Sequence, residues 1–339
     1  MSTAPNPLRI VYMGTPDFAV PALQALATSR DQVVGVFTNP DRPSGRGKKL
    51  TPPPVKVAAE LLQIPVFQPP KCRGPEVVAI LEDLAPDVIV VAAYGQILKE
   101  DVLTLPRYGC LNIHASLLPR YRGAAPINWA IVRGEEESGV TIMKMDVGLD
   151  TGPMILKKKT LIGPLDTAQV LHDSLATIGA ELIVDVMRLI HLDSLTLIEQ
   201  DDQSATWAPM LKKAEGQIDW SFSAREVANH IRGFNPWPGA YSFHIPSTSQ
   251  SAEEKAEPVR IKFHLARPAR PEELAELPLR SPGEVLHIDK AEGTLLIACG
   301  EGAIQALTLQ APGRRAVDTP DFLNGYPIEE GHLFAVLKN

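Results

Sequence analysis

The sequence predicts an α/β fold, with a doubly wound, mostly parallel sheet followed by a smaller domain of short β-strands. Two observations carry this. In the first half, short apolar runs alternate with helical patterns, and several runs are apolar at nearly every position, as strands covered on both faces must be. After about residue 195 helical patterns become scarce, and short strand-like runs follow one another between turn residues, the signature of a small barrel or sandwich.

The elements follow in order. "LRIVYMG" (8–14) reads as the first strand, and "TPDFAVPALQALATS" continues with helical spacing. Pro16 and Pro21 are tolerated only before or within a first helical turn, so this helix should begin near Asp17 or Phe18. "QVVGVFT" (32–38), "IPVFQ" (64–68), "DVIVVAAY" (87–94) and the run Leu111–His114 are further strands. "DTAQVLHDSLATIGAELIVDVMRLI" places Leu171, Leu175, Ile178, Leu182 and Val186 at steps of three and four, a long amphipathic helix capped by Asp166 or Thr167. Residues 1–195 are thus expected to form a first domain, 196–211 a polar linker and 212–339 a second domain. In the second, "SAREVANHIRGF" is a short helix with Ser223 and Glu226 spaced as a capping box, stopped by "NPWPG" (235–239). "GAYSFHI", "VRIKFHLA", "GEVLHI" and "GTLLIACGEGAIQALTL" are its strands, and "PSTSQSAEEKAEP" and "RPARPEELAELPLRSPG" its long surface loops.

Composition narrows the function. In 339 residues, 33 Lys and Arg face 40 Asp and Glu, a formal charge of −7, which argues against a non-specific nucleic-acid binder but leaves room for a local basic patch. No secretory leader opens the sequence, and the most apolar run, "VIVVAAYG", is far short of a membrane span, so a cytoplasmic protein with no membrane partner is expected. Cys72, Cys110 and Cys299 lie far apart with no CxxC spacing, and His114 has no histidine partner at HxH or HxxxH spacing; no metal is expected.

Familiar motifs fail. "MGTPDF" has one glycine where a dinucleotide site needs GxGxxG, "GRGKKL" lacks the first glycine of a Walker A loop, and no GxSxG is present. What remains is "CLNIH". Asn112 and His114 share a face of an otherwise apolar strand, and a later loop, "MDVGLDTGPM", supplies Asp150 between Gly148 and Gly152, with Asp146 as the rival acid. Ligands in open parallel sheets sit beyond the carboxyl ends of strands, so these groups are expected to converge there. An amide that donates to an oxyanion, an imidazole that shuttles a proton and a carboxylate that orients it suit acyl transfer to an amine, with no nucleophilic serine or cysteine.

At these residues the sequence resembles the folate-dependent formyltransferase superfamily. "NIHASLLPRYRGAAP" and "MDVGLDTG" carry the resemblance, joined by "MGTPDFA", "TNPDRPSGRGKKL", "IDWSFSA" and "FNPWPG", so it covers nearly the whole chain. It implies a Rossmann-like first domain and an OB-like β-barrel second domain. The catalytic residues it implies are Asn112, His114 and Asp150, with Asp146 structural. Ser116, Leu117, Leu118 and Pro119, together with Ala93, Tyr94 and Gly95, would border the folate. The donor would be 10-formyltetrahydrofolate and the acceptor the α-amine of methionine on initiator tRNA, bound by a monomer.

The loop "NPDRPSGRGKKL" (39–50) places Arg42, Arg46, Lys48 and Lys49 against the single acid Asp41, with prolines and glycines that argue against regular structure. The resemblance implies that these four cations contact tRNA, Arg46 above all. From residue 207 onward the chain has 14 basic and 17 acidic residues, so a basic face there would draw on Lys212, Lys213, Arg225, Arg232, Arg260 and Lys262. Two rivals share the chemistry. Enzymes that formylate amino-sugar nucleotides lack the basic loop, and glycinamide ribonucleotide formyltransferases stop after the first domain. A non-catalytic folate- or RNA-binding module would not need the three polar groups.

Overall fold

The computed structural model describes residues 6–44, 49–245, 257–275 and 277–337. It divides into two compact units: residues 1–126, 137–160 and 172–208 form one, and 127–136, 161–171 and 209–339 the other. Residues 196–208, read from sequence as linker, therefore group with the first unit.

In the first unit, β1 (Arg9–Gly14), α1 (Val20–Ala27), β2 (Gln32–Phe37), α2 (Pro54–Leu61), β3 (Val66–Phe67), α3 (Pro75–Leu84), β4 (Val88–Ala92) and β5 (Cys110–His114) follow the predicted alternation. β6 (Glu137–Lys144), β7 (Met154–Leu161) and α4 (Ala168–His191, of which residues 172–191 belong to this unit) come next. The sheet order is β7-β6-β5-β4-β1-β2-β3. Neighbours from β3 across to β5 pair in parallel, whereas β6 runs antiparallel to β5. A 3₁₀ turn at Asp17–Ala19 precedes α1, whose Pro21 sits in the first turn where no amide hydrogen is needed. Ile10 to Met13 and Val88 to Val90 are fully buried, so the central strands are covered on both sides. Thr167, not Asp166, caps α4, its hydroxyl accepting from the Val170 amide at 3.4 Å.

The second unit holds α5 (Ala224–Gly233) and the strands β8 (Ala240–Ile245), β9 (Val259–Pro268), β10 (Val285–Asp289), β11 (Thr294–Ala298), β12 (Ala303–Gln310) and β13 (Leu333–Ala335). The expected capping box is present: the Glu226 amide donates to the Ser223 hydroxyl at 3.3 Å, and the Ser223 amide to the Glu226 carboxylate at 2.9 Å. The order β10-β11-β12-β9-β8-β13 is antiparallel at every pairing, and its two ends meet. Phe334 N donates to Gly283 O and Val285 N to His332 O, both at 2.8 Å, so these strands curl into a closed barrel and pair what would otherwise be its edges. Trp220, Phe263 and Phe334 pack as aromatic neighbours in its core.

Candidate active site

Along β5, Leu111 and Ile113 alternate with Asn112 and His114, so one face is apolar and the other polar. α4 covers the apolar face closely: a Cβ on Gly179 would lie 2.7 Å from Ile113 Cγ2, and only glycine permits that approach. The polar pair stands on the opposite face, with His114 only 5% exposed.

The His114 ring is engaged at both nitrogens. Nε2 lies 2.9 Å from the Tyr121 carbonyl oxygen, which can only accept, so this nitrogen carries a proton. Nδ1 faces Asp150 Oδ1 at 3.6 Å, and the Asn112 amide donates to the same oxygen over 3.5 Å. Asp150 Oδ2 accepts from the Gly123 amide at 2.9 Å. One carboxylate thus gathers the three residues picked out in the sequence.

The acid reaches them by an unexpected route. Lys144 lies opposite Leu111 and Thr141 opposite His114, and the Met145 amide donates to Cys110 O at 2.8 Å. The loop 145–153 therefore leaves the sheet beside the start of β5, not beyond its carboxyl end, and returns over the face that Asn112 and His114 share. The alternation within a strand gives its faces but not its direction, so residue pattern alone does not show from which end of β5 this loop departs.

Two loop features impose this path. A Cβ at Gly152 would collide with the Lys144 carbonyl oxygen, and Asp150 itself adopts φ 56°, a left-handed conformation that aspartate tolerates better than most side chains. Asp146 is spent inside the loop, accepting from the Gly148 amide at 3.0 Å and the Thr151 hydroxyl at 2.8 Å.

Ser116 to Pro119 form the turn immediately after β5. The Ser116 hydroxyl donates to Arg120 O at 2.7 Å, and the Thr141 hydroxyl both donates to Ser116 O (2.7 Å) and accepts from the Leu118 amide (3.1 Å). Leu118 is buried against Met143 and Met154. Ala93, Tyr94 and Gly95 follow β4, the parallel neighbour of β5, with φ of 45° at Ala93 and 78° at Gly95. The Asn39 amide, at 2.8 Å, and the Thr15 hydroxyl, at 3.0 Å, both donate to Tyr94 O. Exposed apolar side chains flank these segments: Ile97 beyond Gly95, and Val147 and Leu149 beside Gly148.

In the basic loop, Arg42–Ser44 pairs antiparallel with Lys49–Thr51, so its flanks form a ribbon where no regular structure was expected. Arg42 and Lys49 are exposed on it; Arg46 and Lys48 lie outside the described residues. Asp41 is bonded by two other side chains. Gln68 donates to it at 2.8 Å and Lys56 at 2.9 Å, and the two hold its carboxyl below the ordinary range. In the second unit Arg260 stacks over Tyr241, 3.6 Å from the ring centroid, and Lys262, Lys212, Lys213 and Arg225 are exposed. Arg232 does not belong with them. It is buried, bonding Asn229 Oδ1 and the Gly163 and Asp166 carbonyls, because a helix-terminal arginine also serves to close loop carbonyls inside a fold.

Sequence reasoning passed over Tyr121, Gly123, Thr206 and Gln200. The Tyr121 amide donates to the Thr206 hydroxyl at 2.8 Å, and Arg122–Gly123 pairs in parallel with Trp207–Ala208, a bridge too short to leave a pattern. Gly123, at φ 116°, was the one readable signal, since a Cβ there would lie 2.7 Å from Ala208 O.

Comparison with known proteins gives the frame for this geometry. The formyl transferase model matches residues 8–187, and the formyl transferase C-terminal domain model matches 210–327. The chain belongs to the formyl transferase family. It is 47% identical over 324 residues to a methionyl-tRNA formyltransferase of Geobacter metallireducens, covering 96% of this chain and 97% of that one. The corresponding protein of Geobacter sulfurreducens is 48% identical, with 96% of each chain covered. An N-formyltransferase from Helicobacter canadensis, solved with folinic acid and dTDP-3-aminofucose, shares the fold at a TM-score of 0.60 and 19% identity, over 88% of this chain and 98% of that one. The resemblance first carried by a few formyl transferase motifs thus extends along both units. Among the described residues no helix is long and apolar enough to cross a membrane.

Proposed function

We propose that this protein transfers the formyl group of 10-formyltetrahydrofolate to the α-amine of methionine esterified to initiator tRNA. The observation that carries the reading is the meeting of Asn112, His114 and Asp150 on one carboxylate, at 3.5 and 3.6 Å. The methionyl-tRNA formyltransferases of the two Geobacter species support the choice of acceptor.

The folate supplies a formyl carbon on a nitrogen leaving group. The chain's residues do the rest. An α-amine has a pKa of about 8 and an ester lowers it, so much of the acceptor is neutral near pH 7 and no strong base is required. Asn112 Nδ2 donates to the formyl oxygen as negative charge grows on it, a contribution of about 10²–10³ in rate for one good donor. His114, its Nε2 hydrogen held by the Tyr121 carbonyl, keeps Nδ1 as a second donor to that oxygen, and Asp150 takes up the proton released by the amine and passes it to the leaving folate nitrogen as the bond from that nitrogen to the formyl carbon breaks. Ser116–Pro119 and Ala93–Gly95 border the donor. The exposed Ile97, Val147 and Leu149 offer an apolar surface suited to an aromatic ring system. Arg42 and Lys49, with Arg46 and Lys48, bind tRNA phosphates, which position an acceptor stem without reading its bases.

The test is formyl transfer from 10-formyltetrahydrofolate to charged initiator tRNA, run beside charged elongator tRNA and a dTDP-amino sugar. Transfer to the initiator alone is expected. Turnover on the sugar alone would keep the three-residue site and overturn the acceptor, and no turnover on any amine would overturn both.

A further inference from the structure

Asp150 and Gly152 present their carbonyl oxygens to a single nitrogen. Gln200 Nε2 donates to Asp150 O at 2.8 Å and to Gly152 O at 2.7 Å, using both hydrogens of its amide. The other end of the same amide is fixed as firmly: Gln200 Oε1 accepts from Arg122 Nε at 3.0 Å and Nη2 at 2.9 Å. Arg122 is 4% exposed, and its Nη2 also pairs with Asp202 Oδ1 at 2.7 Å. The fork of the guanidinium leaves the amide one orientation, with nitrogen toward the loop.

The consequence concerns direction. Asp150 stands in a left-handed conformation, and its carboxylate reaches His114 only while that backbone turn is held. The two carbonyls bonded by Gln200 belong to the acid itself and to the residue two positions on, so the amide clamps both ends of the turn. Arg122 ties the clamp to the rest of the site, because Tyr121 O receives the His114 Nε2 hydrogen and Gly123 N–H donates to Asp150 Oδ2. Asp202, Arg122, Gln200 and the Asp150 turn form one continuous chain of bonds, and neither Gln200 nor Asp202 lies in the motifs.

We propose that Gln200, locked by Arg122 and Asp202, is a positioning residue that aims the Asp150 carboxylate at His114 and Asn112. This rests on Asp150 being the acid of the proposed formyl transfer. Its amide is fully engaged by protein partners, so its loss should lower kcat and leave KM alone.

The experiment uses the full-length protein with 10-formyltetrahydrofolate and charged initiator tRNA. It compares Gln200→Ala, Gln200→Glu, Asp150→Asn and the double variant Gln200→Ala/Asp150→Asn, each checked for an intact thermal transition. Gln200→Glu keeps the size and the Arg122 contact but turns an oxygen toward the two carbonyls. Both Gln200 variants are expected to lose about tenfold to a hundredfold in kcat, the scale of a misplacement near 1 Å, with KM for either substrate within about threefold. If Gln200 acts through Asp150, the double variant is no slower than Asp150→Asn alone within about twofold, because contacts in one network are not additive. A lowered melting temperature with unchanged kcat would make Gln200 merely structural and overturn the proposal. So would a raised KM at full kcat, or losses that multiply in the double variant. Wild-type turnover in Asp150→Asn would instead remove the acid through which the clamp acts, overturning the catalytic assignment along with the proposal.

Discussion

His114 in one unit and the His244–His332 pair in the other are buried, and they are built in opposite ways. His114 meets acceptors at both ring nitrogens, the Tyr121 carbonyl and the Asp150 carboxylate, so the ring is placed to donate from both. In the barrel His244, 1% exposed, meets Tyr326 Oη at 3.1 Å through Nδ1 and His332 Nδ1 at 2.9 Å through Nε2. His332 Nδ1 also accepts from the Glu329 amide at 3.2 Å, so it has no room for a proton of its own. The Glu329 carboxylate lies 3.9 Å from the far nitrogen of His332 and is largely exposed. The first ring is held between two acceptors, a carbonyl and a carboxylate. The second is a ring-to-ring hydrogen bond beside β13, the strand that meets β10 to close the barrel. The difference teaches that burial of histidine says little about function; what its two nitrogens face says much more.

The sharpest way to break this contrast is to remove each ring. His114→Ala should lower kcat by about 10²–10⁴, the range for a positioned proton-transfer group, and leave folate binding near wild type in an equilibrium titration. An unimpaired kcat would place His114 with the barrel histidines. Next in size is Gly152→Ala, which drives a methyl group into the Lys144 carbonyl and displaces the turn that carries Asp150. A kcat loss of about a hundredfold with the melting temperature lowered is expected from such a displacement.

The barrel cluster should answer to pH rather than to turnover. Burial and the neighbouring His332 push the His244 pKa down to about 4, and burial pushes His230, in α5, down to about 4 as well. Folded pKa values below the ordinary 6.5 mean that the unfolded chain takes up protons first as pH falls. Stability contributed by these rings is therefore complete above pH 6.5 and is lost between 6.5 and about 4, at no more than about 1.4 kcal/mol per pH unit for each ring. Urea unfolding across that window should show the slope, and His244→Phe should flatten part of it. A slope that His244→Phe leaves unchanged would remove this ring from the account. The smallest effect is expected at the ribbon: Arg42→Ala should raise KM for tRNA, leave kcat alone and reduce the salt dependence of binding by about 0.9 for one phosphate contact.

Much of the site was legible in sequence, for a definite reason. Asn112 and His114 interrupt an apolar strand with period two, and Gly148 and Gly152 mark the loop of Asp150, so residue type and spacing alone singled out the three groups. Gln200 left no comparable mark. It lies in a polar stretch that reads as linker, and its role depends on a carbonyl fifty positions earlier in the chain. Arg232 shows the opposite failure, since a surface cation and a buried one that closes loop carbonyls have the same letter and the same neighbours.

By itself, then, the sequence determined the α/β alternation of the first unit, the short-strand character of the second, the capping box at Ser223, and the identity of the three polar groups, because each depends on residues a few positions apart. The direction of β6, the return of the Asp150 loop across the sheet face, the closure of the barrel through Gly283 and Phe334, and the clamp of Arg122 and Gln200 were decided only by the tertiary structure. These rest on hydrogen bonds between backbone groups and side chains tens of residues apart, and a backbone amide or carbonyl is the same whatever the local sequence.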